Sequence, residues 1–557
     1  MSQKEVSFGQ ALAKLNKLLA LDRSEIAAVY TFAVLAGLVQ LSLPLGIQSI
    51  ISFVMAGTLS TSIVVLIIMV VFGVFLNGLL QVRQLQVIEK IKQKIFVRFS
   101  LEFTDRLPKI NIEKLDNEYL PEMVNRYFDS VSLQKGVDKL LVDLPAAIIQ
   151  VVFGLILLSL YHPVFIAFGI LLIITVLAVI RFTSQKGMLA AIDASSYKYG
   201  VAAWLQEIAR SIKTFKYTKG TSLHMQKTDY MLGGYLNSRT AYFKVLLQQF
   251  WSLISFKIII TGAMLTIGSY LLITQQINVG QFIASDIVII AIIGSIEKLI
   301  TNLDAVYDAL VSVEKLALIT EADIEQSGNI ELSRKNDGVE VDFKDVSFSY
   351  TEGQQVLQGI SFSAKPGELL LLKGSSGAGK STILRLLTGA FTAYEGKILI
   401  DQLPVANYSI NSLRKETGIL LSVQDIFQGT ILENLTMGNP EISLDEINHL
   451  VRITGLQSYV ESSRKGYDSP MMPGGVKLSN QVRKNILLIR ALLGHNRLLL
   501  LEEPFAHLSN SQKEQVIKYI KEKKRATTLI ASSDERLSDV SDQVILITNG
   551  STDKPLT

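Results

Sequence analysis

The sequence predicts two parts of different fold class: an α-helical membrane domain with six spans, followed by a soluble α/β domain. Three long stretches in the first 300 residues contain no Asp, Glu, Lys or Arg. After them, the chain alternates short apolar strand-like runs with helical segments. The composition agrees, because 49% hydrophobic residues and a mean hydropathy of +0.34 exceed what one water-soluble core needs.

Charge and residue content exclude several classes of site. The net charge of +4 and the pI of about 8.8 are mild, and such an excess follows cytoplasmic membrane flanks more often than nucleic acid, so no nucleic-acid partner is expected. The chain has no cysteine, which rules out disulfides, thiolate metal sites and cysteine nucleophiles. Its five histidines form no cluster with metal-ligand spacing.

Of the three uncharged stretches, the first is long enough for two spans of about 20 residues each with a turn between, and the other two also contain a turn. They run from Ile26 to Val82, from Leu144 to Ile180 and from Ile258 to Ser285. The second is broken by "YHP" at Tyr161 to Pro163, and Pro44 should kink the first span. Three hairpins therefore give six spans.

The distribution of basic residues predicts the orientation. The hairpin turns carry no Lys or Arg, whereas the connectors Arg83 to Asp143 and Arg181 to Lys257 are rich in both. By the positive-inside rule, the connectors and both termini are cytoplasmic, in a multi-pass protein of the cytoplasmic (inner) membrane in contact with its lipid. The connectors have helical patterns and should extend the spans into the cytosol. The alternative, a large soluble helical core, would require most of this region to lack a solvated face.

Residues 1–25 are expected to form an interfacial helix. Leu12, Leu15 and Leu19 share one face of "SFGQALAKLNKLLALDRSE", as in helices that lie on the inner membrane surface.

Two charged residues lie in or near the third hairpin. Intramembrane charges are functional candidates, so Lys257 and Asp286 are candidates here. Alternatively, Lys257 extends to the inner interface and Asp286 sits near the outer surface.

The composition changes after Leu310. We predict a membrane domain over residues 26–310, a polar linker over 311–337 and a soluble domain over 338–557.

The strongest motif is "GSSGAGKST", which matches G-x-x-x-x-G-K-[ST] between the strand "GELLLLK" and the helix "ILRLLTGA". In this context the glycines let backbone amides point into one concavity, and the helix N-terminus adds positive potential. The lysine reaches the β and γ phosphates, and the following serine can ligate Mg²⁺. The predicted nucleotide-binding residues are Gly374, Ser375, Ser376, Gly377, Ala378, Gly379, Lys380, Ser381 and Thr382.

A second strand, "LLLLEE", ends in the adjacent acids Glu502 and Glu503. Two carboxylates after an all-leucine strand are costly to desolvate unless a cation or a reacting group meets them. The segment alone would suggest a surface charge pair, but the phosphate loop upstream favours a role for both acids in a nucleotide site. We predict that Glu502 faces Mg²⁺ and Glu503 the attacking water, in an α/β P-loop NTPase domain.

At this point the chain resembles an ATP-binding cassette (ABC) exporter half-transporter, with six spans followed by one nucleotide-binding domain. The resemblance covers essentially the whole length of the chain. Within the family, the chain is most similar to the type I secretion and peptide-exporter group. The resemblance implies that Tyr350, ending "VSFSY", stacks on adenine. It also implies that Gln424 in "LLSVQDIFQG" links Mg²⁺ and water to the membrane domain, and that Glu502 stands where the family has aspartate.

The chain departs from the family pattern at several positions. The family signature LSGGQ is replaced by "LSNQV", which keeps Ser479 for nucleotide binding but puts Asn480 and Gln481 at the glycine positions. Ser509 stands where the family has aspartate, and Ser533 where it has the switch histidine. The nucleotide-binding domain is therefore expected to be degenerate.

The resemblance implies an ATP-driven exporter subunit that uses ATP and Mg²⁺ and moves a peptide, protein, lipid or drug out of the cytoplasm. Because losing one preorganised transition-state contact costs about 3 kcal/mol, hydrolysis should be slow. A heterodimer with a second half-transporter is favoured over a homodimer, since it spreads the altered positions over two sites, and a periplasmic adaptor is a further candidate partner. The alternative is a membrane-embedded ATP-sensing or scaffolding pseudo-ATPase subunit of a secretion or transport complex.

Overall fold

The computed structural model describes residues 8–57, 61–115, 120–335, 337–350 and 355–552, without the side chains of 114, 115, 523 and 524. The chain forms two compact units. The first comprises Met1–Lys109 and Glu118–Ala322; the second comprises Ile110–Asn117 and Asp323–Thr557.

The regular secondary structure of the first unit, over its described residues, consists of helices. Its helices are α1 (Phe8–Leu19), α2 (Arg23–Gln40), α3 (Ser42–Met55), α4 (Thr61–Arg106), α6 (Leu120–Asn125), α7 (Asp129–Asp138), α8 (Leu144–Tyr161), α9 (Val164–Arg210), α10 (Ile212–Tyr217), α11 (Leu223–Ile273), α12 (Val279–Thr301) and α13 (Leu303–Thr320). Six segments of the described chain are long and apolar enough to cross a membrane. The prediction of six spans is therefore confirmed.

The helix ends follow the sequence signals. α8 stops at Tyr161 and α9 starts at Val164, so the "YHP" turn lies where predicted. The first span breaks between α2 and α3, next to Pro44, which cannot donate a backbone hydrogen bond. The expected extensions are present: α11 has 51 residues, or about 75 Å, more than twice the thickness of a bilayer core.

The N-terminal helix has a protein partner for part of its apolar face. Leu15 is buried, while Leu12 is exposed, and Lys14 pairs with Glu314 of α13 at 3.0 Å. Leu15, which shares a face with Leu12 in the predicted interfacial helix, is therefore covered by protein rather than by lipid. Contact of the exposed face with membrane lipid stays a prediction.

The predicted linker over residues 311–337 is also wrong in its first part. α13 continues to Thr320, and Val311, Leu316 and Ile319 are buried. From Asp323 onward the chain belongs to the second unit, where Leu332 is buried in the core and Glu325 accepts two hydrogen bonds of 2.8 Å from Arg414. The boundary lies at Ala322, so the helical unit extends beyond the predicted residue 310.

The two intramembrane candidates differ in their surroundings. Lys257 of α11 forms an ion pair with Glu297 of α12, which neutralises both charges. Asp286 lies near the start of α12 and is half-buried.

The second unit contains α5 (Ile112–Leu115) and a mixed α/β domain. Its strands are β1 (Val341–Ser349), β2 (Gln355–Ala364), β3 (Leu369–Lys373), β4 (Glu395–Ile400), β5 (Leu403–Pro404), β6 (Thr417–Leu420), β7 (Gly429–Thr430), β8 (Pro470–Met471), β9 (Leu498–Glu502), β10 (Thr527–Ala531), β11 (Gln543–Thr548) and β12 (Ser551–Thr552). Its further helices are α14 (Lys380–Leu387), α15 (Ile410–Lys415), α16 (Ile431–Thr436), α17 (Leu444–Ile453), α18 (Gln457–Ser462), α19 (Asn480–Leu492), α20 (Asn510–Tyr519) and α21 (Leu537–Val540).

The main sheet has the order β12-β11-β3-β10-β9-β6, and a second sheet has the order β2-β1-β4-β5. β11, β3, β10, β9 and β6 pair in parallel, so their carboxyl ends meet at one edge. All four leucines of β9 are fully buried, and each contributes about 1.5–3 kcal/mol by leaving water. This burial fixes the strand and thereby the position of the acids that follow it.

Candidate functional site

The loop between β3 and α14 requires glycine at specific positions. Gly379 has φ +99° and directly precedes α14, a conformation that side-chain-bearing residues rarely adopt. A Cβ on Gly374 would lie 2.3 Å from the backbone oxygen of Ile547 in the neighbouring strand. The predicted strand, loop and helix context of the motif is therefore present.

Lys380 lies across this loop. Its Nζ donates hydrogen bonds to the backbone oxygens of Gly374 (2.7 Å) and Ser375 (2.8 Å). A positive charge is thus held over the loop at the first residue of α14. An anionic group on the loop amides would meet both this charge and the helix N-terminus.

Glu502 connects the second strand to the phosphate loop. Its Oε1 accepts a hydrogen bond of 2.6 Å from the Ser381 hydroxyl, and its Oε2 accepts one of 2.8 Å from the backbone N of Ser422. Burial raises the pKa of this carboxyl, but the bonds from Ser381 and Ser422 and the charge of Arg385 outweigh burial, and the pKa is lowered. The carboxylate is therefore held in its charged form beside a hydroxyl.

This pair fits the predicted Mg²⁺ site. A serine hydroxyl and a carboxylate are the hard oxygen ligands that Mg²⁺ prefers, with phosphate oxygens completing the shell. Gln424, the third predicted ligand, has its Oε1 on the backbone N of Leu421 (3.2 Å) instead. Its segment still reaches the site through Ser422.

Glu503 contacts a different segment from its neighbour. Its Oε2 accepts a hydrogen bond of 2.8 Å from the Ser532 hydroxyl, and its Oε1 accepts one of 2.9 Å from the backbone N of Ser533. The backbone of Glu503 has φ +44°, and its N donates to the Ala531 oxygen at 2.8 Å. The predicted base is thus held by the residues that follow β10.

Tyr350 lies against α14. Its ring contacts Phe348 and Phe391 edge-on, with centroid distances of 4.9 and 5.6 Å. Its hydroxyl lies 3.2 Å from the Thr382 Oγ1 and accepts a hydrogen bond of 3.3 Å from Arg385. The structure therefore brings Tyr350 to the helix of the phosphate loop, and its contact with adenine stays a prediction.

Ser479 serves its own helix. Its Oγ accepts a hydrogen bond of 3.2 Å from the backbone N of Val482 and caps α19. Asn480 and Gln481 are exposed in the first turn, and the Asn480 Nδ2 lies 3.5 Å from the His507 Nε2. The structure does not bring Ser479 to the phosphate loop of the same chain.

Two contact residues of this region had no sequence signal that pointed to them. Ser532 holds the predicted base, and its neighbour in "ASSD" was singled out instead. Glu113 of α5 accepts hydrogen bonds from the backbone N atoms of Thr392 (2.6 Å) and Ala393 (3.1 Å), although 279 positions separate Glu113 from Thr392. Such long-range pairs have no local motif.

Comparisons with known proteins agree with this geometry. Residues 26–296 match the family described as ABC transporter transmembrane region, and residues 357–506 match the family described as ABC transporter. The chain is 33% identical to the probable multidrug resistance ABC transporter ATP-binding/permease protein YheH of Bacillus subtilis, over 42% of the chain and 34% of that protein. It is 27% identical to the alpha-hemolysin translocation ATP-binding protein HlyB of Escherichia coli O157:H7, over 62% of the chain and 49% of that protein.

The matched stretches thus span about a third to a half of the length of these curated relatives. Among solved structures, a bacterial Atm1-family ABC exporter with ATP bound superimposes with a TM-score of 0.86, at 19% identity, over 96% of this chain and 95% of that one. This likeness supports the fold. The chain belongs to the ABC transporter family, with a six-span membrane region and a nucleotide-binding region joined on one chain in the ABC exporter fold.

Proposed function

We propose that the chain is an ATP-driven exporter half-transporter. The observation that carries this proposal is the hydrogen bond between Ser381 and Glu502, since it joins the phosphate loop to the acids that follow β9. Lys380 and the loop amides would hold the phosphates of ATP. Ser381, Glu502 and Gln424 would hold Mg²⁺, which when bound neutralises charge on the phosphate oxygens.

Glu503 is the base in this proposal. It would accept a proton from the water that attacks the γ-phosphate. Tyr350 would contact the adenine ring, a role supported by the contact of its hydroxyl with Thr382 in the helix of the phosphate loop. Membrane-domain motions coupled to binding and hydrolysis would move the substrate.

Hydrolysis in this proposal is slow, and the partner is a second half-transporter. Asn480 and Gln481 carry exposed side chains where the family has glycine, so they obstruct close approach of a phosphate. In a homodimer the altered signature and the missing histidine would fall together at both sites. In a heterodimer with an intact half-transporter, each site would contain only one of these two changes, so the heterodimer is favoured. Purification of the complex could instead yield a homodimer, or a complex with a periplasmic adaptor.

Substrate and location are proposed at a coarser level. The six apolar segments support a multi-pass protein of the cytoplasmic membrane, with the nucleotide-binding unit in the cytosol. HlyB is by its name an alpha-hemolysin translocation protein, which supports a peptide or protein substrate, with a lipid or drug as alternatives. Mass spectrometry of what co-purifies with the chain tests both substrate and partner.

The competing proposal is a pseudo-ATPase that senses ATP or organises a transport complex. The exposed Asn480 and Gln481 favour it, whereas the intact contacts of Lys380 and Glu502 oppose it. Phosphate release by the full chain in lipid nanodiscs separates the two, with Lys380→Ala as the blank. A wild-type signal equal to the blank supports the pseudo-ATPase. In the exporter proposal, Glu503→Gln loses turnover but keeps ATP binding.

A further inference from the structure

One buried hydroxyl, that of Ser532, contacts the carboxylate of Glu503. Ser532 is 2% exposed, and its Oγ accepts a hydrogen bond of 3.2 Å from the backbone N of Asp534. The same Oγ donates its proton to the Oε2 of Glu503 at 2.8 Å. Because the Asp534 amide approaches the oxygen as a donor, the hydroxyl proton is directed to the carboxylate. The hydroxyl is therefore a preorganised donor.

The second carboxylate oxygen is held as well. The Oε1 of Glu503 accepts the backbone N–H of Ser533 at 2.9 Å. A carboxylate has about four lone-pair sites, so two bonds fix the group and leave sites free for water. The fixed carboxylate can therefore still accept a proton.

Ser532 is itself fixed relative to the phosphate loop. Its backbone N donates to the oxygen of Leu372 at 3.4 Å, next to Lys373, the last residue before the loop. Ser532 is thus attached both to β3 and to the residue after β9. These are the two strands whose ends carry the phosphate loop and the acids.

The segment after Ser532 is also fastened to α20. Lys513 forms an ion pair with Asp534, and Arg536 donates a hydrogen bond to Asn510. Ser509 caps the same helix. Ser509 and Ser533, two positions at which the chain departs from the family pattern, thus belong to one network around the base.

We propose that Ser532 is a positioning residue for the base Glu503, and that it orients the carboxylate together with the amide of Ser533, the residue that stands where the family has the switch histidine. This proposal rests on the proposed function, since it needs Glu503 to act as a base. It predicts that the serine hydroxyl, rather than the volume of the side chain, supports hydrolysis. Hydrogen bonds to a charged group are strong enough that one buried donor changes a rate about 10- to 100-fold.

The test compares three variants of the full chain in lipid nanodiscs. Ser532→Ala should lower kcat about tenfold or more while the KM for MgATP stays within about twofold, because the phosphate and metal contacts are untouched. Ser532→Thr keeps the hydroxyl and should restore most of kcat. Ser541→Ala is the matched control, because that hydroxyl bonds only the Leu537 oxygen among described residues and should leave kcat unchanged.

A readout independent of turnover accompanies these rates. Hydrogen exchange at the Ser533 amide should accelerate in Ser532→Ala and in Glu503→Ala, because both loosen the pair, and not in Ser541→Ala. An unchanged or increased kcat in Ser532→Ala overturns the proposal, as does a threonine variant no better than alanine. If the wild type itself releases phosphate no faster than Lys380→Ala, the proposed function fails, and the proposal for Ser532 fails with it. A wild type that is active while Ser532→Ala matches it refutes only the positioning role.

Discussion

The Ser381 hydroxyl and the Glu502 carboxylate lie 2.6 Å apart, although 121 positions separate them in the chain. This bond joins the first turn of α14 to the carboxyl end of β9. It places a neutral oxygen ligand and a charged one side by side, which is the donor set that a magnesium site with few protein ligands uses.

We expect Glu502→Ala to weaken Mg²⁺-dependent nucleotide binding about 10- to 100-fold, the usual loss when a residue of a metal's inner or outer shell is removed. Glu502→Asp keeps a carboxylate and should lose less. Titration of Mg²⁺ at a fixed concentration of fluorescent ATP analogue measures the effect. Glu514→Ala, an exposed position on α20, is the control. Equal Mg²⁺ dependence in Glu502→Ala and wild type would remove Glu502 from the metal site.

The lowered pKa of Glu502 also predicts a pH dependence of stability. A carboxyl whose pKa is lower in the folded than in the unfolded state contributes stability above its unfolded pKa of about 4.3. That contribution is lost as the pH falls through the folded value, because the protonated group loses its preference for the bonds from Ser381 and Ser422. Thermal unfolding of the full chain from pH 7 to pH 3 should therefore decline less steeply below about pH 4.3 in Glu502→Gln than in wild type. Parallel curves for the two proteins would contradict this.

The sequence predicted best where physics demands a local pattern. A bilayer excludes charge from about 20 consecutive residues, so the six spans are visible without a structure. The phosphate loop needs glycine at Gly374 and Gly379 for close approach and left-handed backbone, so the motif is equally local. The buried leucines of β9 likewise marked the strand that ends in Glu502.

The errors arose where tertiary packing decides. The prediction started the linker directly after Leu310, whereas α13 continues to Thr320 with most of its residues buried. Lys315 is in fact buried and donates to Ser196 at 2.9 Å, a partner that no local pattern predicts. The contact between Ser532 and Glu503 depends in the same way on two neighbouring strands, because β9 and β10 bring residues 29 positions apart together.

Ser509 offers a stability test at a position that departs from the family. Its Oγ accepts from the backbone N of Gln512, whose side chain accepts from the Ser509 N, and the two form a capping box on α20. Ser509→Ala should therefore destabilise the chain by about 1 kcal/mol, whereas Ser509→Asp should be close to neutral, since aspartate caps equally well. Thermal unfolding of both variants checks this. If phosphate release rises in Ser509→Asp without a change in stability, the aspartate of the family also has a catalytic effect that serine lacks.

Glu113 links the short segment Ile110–Asn117 to the residues next to Phe391, an aromatic neighbour of Tyr350. This segment follows the long helix α4 in the chain but belongs to the nucleotide-binding unit. Glu113 accepts the amides of Thr392 and Ala393, and the preceding residue, Phe391, packs against the ring of Tyr350. Removing the carboxylate leaves these two amides without their acceptor and should make Phe391, and with it the ring of Tyr350, less firmly held.

We therefore expect Glu113→Ala to raise the KM for ATP several-fold while kcat at saturation changes little, because the phosphate contacts of Lys380 and Ser381 are unaffected. Hydrogen exchange at Thr392 and Ala393 should accelerate in the same variant. Glu395→Ala, an exposed glutamate at the start of β4, serves as the control. Faster exchange with an unchanged KM would contradict this prediction. The Glu113 contact would then stabilise the local structure without affecting nucleotide binding through Phe391 and Tyr350.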